Sequence, residues 1–249
     1  MGGPTPVLSS RRAVALAAVV AALVTYGAVA DALPALSIRW DAVVIGVFVF
    51  PASTAAIWLA LPLARRPRKH PIVLPAAAAA LAIGLRVVGM DSAFNIAKLA
   101  CFALIGFALL WLFDALWWVV VVSVLIPWVD VWSVASGPTR YVVAEKPGLI
   151  EHVSVGTPFP GEAAAIFLGP PDVIFFALFL AATQRFALRT AWTWVGMTGL
   201  LSSTLALVLV GNIAGLPALP AICLGFLLPN ADLVWRHVRE TRTAARSVE

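Results

Sequence analysis

The 249-residue chain is 62% hydrophobic and only 12% charged, with a mean hydropathy of +0.98, which excludes an ordinary soluble domain. Its net charge of +5 and pI near 9.9 do not point to nucleic acid, because the basic residues gather at the ends of long apolar blocks, where they orient helices. Both cysteines, Cys101 and Cys223, lie inside apolar segments, so they indicate neither a disulfide framework nor a zinc site and read as packing residues.

The first apolar run follows Arg11 and Arg12 and is just long enough to span a bilayer. Its basic flank and its Ala28-Val29-Ala30 end also resemble a signal peptide. The run exceeds the roughly 7 to 15 residues of a signal core, so a retained first helix is the expectation and a cleaved signal the alternative. A second segment, Ala42 to Ala64, runs into Arg65-Arg66-Pro67-Arg68-Lys69-His70, which by the positive-inside rule places this loop in the cytoplasm. A third spans Pro71 to Met90, with Arg86 near enough to its end to snorkel. The fourth runs from about Asn95 to Phe113. From Phe94 to Ser136 apolar character hardly lapses, which is too long for one helix and predicts two joined at Asp114, an interfacial turn residue. The fifth segment, about Leu116 to Ser136, carries Pro127 three residues ahead of Asp130, where a local kink is expected.

Between Gly137 and Glu162 comes the only long polar connection. Its TRYVV and IEHVSV pieces are β-branched and alternating and predict a small hairpin over the site. The sixth segment, Ala163 to about Phe186, is broken by Gly169-Pro170-Pro171, which puts Asp172 in the first turn of the second half of an interrupted helix. Gln184, Arg185 and Arg189 mark a cytoplasmic turn. Ala191 to Val210 is the seventh helix, with Gly196 and Gly199 for close approach. The eighth, from about Pro217 to Trp235, is followed by Arg236, His237, Arg239, Arg242 and Arg246. Together these features predict an all-α, multi-pass protein of the cell membrane with about eight helices. Both termini are cytoplasmic and the loop at 137–162 is extracytoplasmic. Residues 1–114 form an N-terminal helical part, 115–235 a bundle carrying the chemistry, and 236–249 a basic tail. The ten tryptophans fall mostly near segment ends, as an aromatic belt does.

Two carboxylates stand in this lipid-grade sequence, Asp130 and Asp172. Each opposes insertion by roughly 2.5 to 3.5 kcal/mol at a helix centre, so each needs a reason. The segments contain no HExxH, no cysteine cluster, no phosphate-cradling glycine loop and no GxSxG. His70, His152 and His237 all fall in loops or tails, which leaves no serine and histidine pair at helical depth. What remains is carboxylate chemistry, in which two neighbouring aspartates share one proton and serve as base and acid together.

In order, Asp130-Val131-Trp132-Ser133-Val134, Gly169-Pro170-Pro171-Asp172 and Pro217-Ala218-Leu219 resemble the presenilin and signal-peptide-peptidase family of intramembrane aspartyl proteases, as a bacterial or archaeal homologue. That family carries a tyrosine-aspartate motif, a Gly-x-Gly-Asp motif and a Pro-Ala-Leu motif on successive parts of its C-terminal half. Here the resemblance covers about Leu116 to Trp235. The sequence departs from the pattern in Val129 for tyrosine, in Pro171 for the second glycine, and in eight apolar segments for nine. The resemblance implies peptide-bond hydrolysis in or near the transmembrane segment of a membrane-protein substrate. Asp130 and Asp172 would be catalytic, Gly169, Pro170, Pro171, Pro217, Ala218 and Leu219 would shape the substrate cleft, and no metal or organic cofactor is implied. The bilayer is the other expected partner, and the oligomeric state is left open. Alternatives are a catalytically silent homologue, a proton-coupled transporter or channel using the buried aspartates, a prepilin-peptidase-like enzyme, and Asp114 in place of Asp130 as the first catalytic residue.

Overall fold

A computed structural model of the protein describes residues 8–65, 72–136, 153–162, 164–211 and 216–246. It contains eight helices: α1 (Ser10–Val29), α2 (Ile38–Arg65), α3 (Val73–Val87), α4 (Asp91–Leu109), α5 (Leu116–Ser136), α6 (Pro170–Arg185), α7 (Thr190–Gly211) and α8 (Leu219–Arg246). The helical segments around α1, α2, α4, α5 and α7 are long and apolar enough to cross a membrane, so the molecule is a predominantly helical, multi-pass membrane bundle. α5 has the predicted limits and continues through Pro127. Asp114 lies in the short break before it, highly exposed and 3.9 Å from Arg185, as a turn residue. α2 begins four residues earlier than its apolar run, because Arg39 and Asp41 sit within its first turn. It widens to a π-helical turn at Val44–Val49 just ahead of Pro51, whose missing N–H leaves the preceding turn short of a donor.

α6 is the centre of the bundle. Val173 and every residue from Phe176 to Thr183 are buried, and α2, α4, α5, α7 and α8 all touch it. Only an element enclosed by other helices is apolar on every side in this way. Its closest neighbour is α4, where Gly106 lies so near that a Cβ there would stand 2.3 Å from the Ile174 carbonyl oxygen. α7 and α8 meet through a similar approach, Gly196 against Gly225, at which a Cβ on Gly196 would stand 2.8 Å from the Gly225 oxygen. Gly199, expected to serve the same purpose, faces open space. Phe179 and Phe226 stack at 4.9 Å between α6 and α8.

One end of the bundle is tied by arginines. Arg185 donates to the Leu110 carbonyl at 2.8 Å, Arg65 to Gln184 at 3.1 Å, and Arg189 holds Asp232 with two bonds of 2.7 and 2.8 Å. Beside them Asn230, fully buried, accepts the Arg189 backbone N–H and donates to Thr193 and to the Phe226 carbonyl.

The other end carries a two-stranded antiparallel hairpin, β1 (Val155–Pro158) and β2 (Ala165–Leu168), with Val155 opposite Leu168 and Pro158 opposite Ala165. The hairpin is displaced from its expected place. Of the described part of IEHVSV, Val153 and Ser154 precede the strand and Val155 begins it; residues 150–152 and TRYVV lie outside the described residues. β2 replaces the first half of the predicted sixth helix, so that segment is a strand followed by a helix rather than an interrupted helix. A four-residue apolar run carries no periodicity that separates the two. The outer edge of β1 is held by helix side chains. Tyr26 donates to the Pro158 carbonyl at 2.8 Å, Asn95 accepts the Gly156 N–H at 3.3 Å, and the Lys98 ammonium donates to the Ser154 carbonyl. Among the described residues, the edge of the hairpin left open therefore belongs to β2.

Candidate active site

Asp130 lies on the partly buried strip of α5, between Val129, Val131 and Trp132, which are all exposed and lipid-grade. Its Oδ2 accepts the backbone N–H of Leu219 at 3.0 Å. Leu219 opens α8, and the first N–H groups of a helix have no partner within it. Asp130 thus does from α5 what a capping side chain does within a single helix, and this bond joins the first aspartate to the Pro217-Ala218-Leu219 motif. Pro217 and Ala218 are half-buried just before α8, and Ala218 receives its first backbone bond, from Ile222. One turn beyond Leu219, buried Cys223 lies on the same face of α8 and within the electrostatic reach of Asp130.

Asp172 is held differently. Gly169 is the N-cap of α6 with an extended backbone, Pro170 and Pro171 occupy the first two helical positions, and Asp172 is third. The Asp172 Oδ2 reaches back to accept the Gly169 N–H at 3.0 Å, the second half of a capping box. Prolines at these positions cost nothing, since those N–H groups have no helical acceptor and the fixed φ suits a first turn. Pro171 is exposed and leaves the carboxylate alone. The constrained residue is Gly169, where a Cβ would stand 3.1 Å from the Asp172 Oδ2.

Packing then brings the two carboxylates to one level. Arg185, at the end of α6, is pinned to Leu110 and Asp114 immediately ahead of α5. At 1.5 Å per residue, Asp130 lies about 21 Å along α5 from that end, and Asp172 about 20 Å along α6. The two are near enough to interact electrostatically. Among the described residues each spends one oxygen on a backbone N–H and keeps Oδ1 uncommitted. Asp130 with Leu219 and Asp172 with Gly169 therefore stand at one level of the bundle, with Pro170, Pro217 and Ala218 next to them in the chain and Pro171 facing outward. Asp114 stays at the arginine end of the bundle, two residues ahead of α5 and so more than about 21 Å from the level of Asp130.

Several polar residues outside the sequence motifs also lie near this site. Ser53 and Thr54 from α2 and Thr157 from β1 border the space beside Asp172. Lys98 is buried in α4 with its ammonium 4.5 Å from the centre of the Phe94 ring, and Asp41 is buried in α2. Lys98 carries the same signal as the two aspartates, an ionisable group in an apolar run, and Asp41 stands immediately ahead of one. The hydroxyls carried none. Among the described residues no three His, Cys, Asp or Glu side chains gather as a metal site would require. No protein-family model, curated protein or solved structure matches the chain.

Proposed function

We propose that the protein is an intramembrane aspartyl endopeptidase of the presenilin type, which cuts peptide bonds in or near the transmembrane segments of other membrane proteins. The observation that carries this reading is the hydrogen bond from Leu219 to Asp130, which sets an aspartate of one helix against the Pro-Ala-Leu segment of another, level with and in the field of Asp172. In the reaction, one aspartate, ionised, draws a proton from water while the protonated partner polarises the scissile carbonyl. The water oxygen bonds to the carbonyl carbon, the C–N bond breaks, and the leaving nitrogen takes the proton. Gly169 and Leu219 orient the two carboxylates through their N–H groups.

The hairpin supplies a place for the substrate. With its β1 edge occupied by Tyr26, Asn95 and Lys98, an unwound substrate adds as a strand along β2, where main-chain hydrogen bonds replace those its own helix gave up. By the basic clusters, the arginine end of the bundle faces the cytoplasm and the hairpin end faces away from it.

The test is cleavage of a model transmembrane peptide by purified protein in detergent or liposomes. Wild type cuts the peptide, and Asp130→Asn and Asp172→Asn each abolish cutting while remaining folded. Cleavage that survives both changes sinks the mechanism. Proton-driven solute uptake into liposomes without cleavage selects a transporter instead.

A further inference from the structure

Behind the hairpin lies a partly open cleft of about 640 Å³, bounded by α1, β1 and the neighbouring ends of α3 and α4. It is polar for a membrane bundle, with Arg86, Asp91, Asn95 and Lys98 on its wall. Beyond it a second space of about 20 Å³ touches Asp172. Ser53, Val155 and Thr157 line both, so these three side chains form the neck between the cavity and the carboxylate. A void holds a water molecule once it offers roughly 10 to 15 Å³ and two to four polar partners. Most of the small chamber is apolar, but Thr157 and Asp172 border it, and the hydroxyl oxygens of Ser53 and Thr54, whose protons go to the Val49 and Pro51 carbonyls or to Thr198, keep lone pairs that can accept from a water.

We propose that the large cavity is an aqueous vestibule, and that water passes from it to Asp172 one molecule at a time past Ser53 and Thr157. Peptide hydrolysis consumes one water for each bond cut. The lipid-facing side of α5, with Leu125, Trp128, Val129 and Trp132 exposed, offers none. The vestibule supplies it from the hairpin end, on the side of α6 toward α2 and α4. The inference rests on the proteolytic reading only for the use to which the water is put.

Accessibility to Ag⁺, an ion of about water size, tests the route without relying on activity. In protein lacking both native cysteines (Cys101→Ala, Cys223→Ala), single cysteines are placed in the vestibule (Ser92→Cys), in the chamber (Thr54→Cys) and in the sealed core (Ala182→Cys). Ag⁺ is added before denaturation and thiol counting. The expected result is that Ser92→Cys and Thr54→Cys are blocked by Ag⁺ and Ala182→Cys is not. Adding Thr157→Leu then protects Thr54→Cys and leaves Ser92→Cys reactive. An unreactive Thr54→Cys beside a reactive Ser92→Cys overturns the route, as does a Thr54→Cys that Thr157→Leu fails to protect. In the cleavage assay, Thr157→Leu lowers kcat about tenfold with KM unchanged. Full kcat in a variant whose chamber is closed to Ag⁺ also overturns the proposal. Wild-type protein that cuts no peptide yet shows the Ag⁺ pattern defeats the proteolytic reading and leaves the water route standing.

Discussion

Gly169→Ala separates the site from the fold. The Gly169 backbone, φ −66° and ψ 153°, is one that alanine adopts without strain, and the added methyl shortens the list of unfolded conformations, worth about 0.4 to 1 kcal/mol in favour of the native state. The same methyl would stand 3.1 Å from the Asp172 Oδ2 and 3.5 Å from Pro171 Cδ. The proline ring is fixed, so the carboxylate gives way by a few tenths of an ångström and its 3.0 Å bond to the Gly169 N–H is bent. A misplacement of 1 Å costs on the order of 100-fold in rate, so half of that costs about tenfold, or about 1.4 kcal/mol of activation free energy. The expected result is a kcat about tenfold lower on a transmembrane peptide, with a melting temperature within about 2 °C of wild type. Pro171→Ala, on an exposed residue, leaves kcat within about twofold. Wild-type turnover by folded Gly169→Ala would refute the view that this cap positions a reacting carboxylate.

Gly196→Ala drives a methyl against the Gly225 carbonyl and costs about 1 to 3 kcal/mol, read as a lower melting temperature, whereas Gly199→Ala, which faces open space, leaves it unchanged. Asn230→Leu removes the acceptor of the Arg189 N–H and the donor to Thr193 and Phe226 inside the bundle, and lowers stability by about 1 to 3 kcal/mol in the same assay. Tyr26→Phe deletes only the bond to the Pro158 carbonyl. It loosens the hairpin by about 0.5 to 1.5 kcal/mol, measured as faster backbone hydrogen exchange at Thr157, with exchange in α6 unaffected.

Hydropathy made the helices legible because a spanning segment must satisfy its backbone internally and cover itself with apolar side chains, a condition that picks out eight helices among the described residues, five of them long and apolar enough to cross a membrane, and places the ends of α5. The same strength hides what happens inside apolar sequence. Ala165 to Leu168 is apolar whether strand or helix, and only pairing with β1, whose other edge three helix side chains hold, decides for strand. Lys98, which breaks an apolar run, and Asp41, which immediately precedes one, stand close to segment ends, where a charge has the alternative of reaching the interface.

The site follows the same division. Asp130, Asp172, Gly169 and Leu219 could be singled out by residue type and order, yet which glycine or proline matters depends on backbone geometry. Read as a motif, Pro171 stands where a flexible glycine is wanted. Built as a helix start, it occupies the second helical position, where a missing N–H is harmless, and the residue whose Cβ would disturb Asp172 is Gly169. The position next to the aspartate thus serves the helix cap and calls for no chain flexibility. This is why Gly169→Ala and Pro171→Ala, two changes of similar size beside one carboxylate, are expected to separate in turnover.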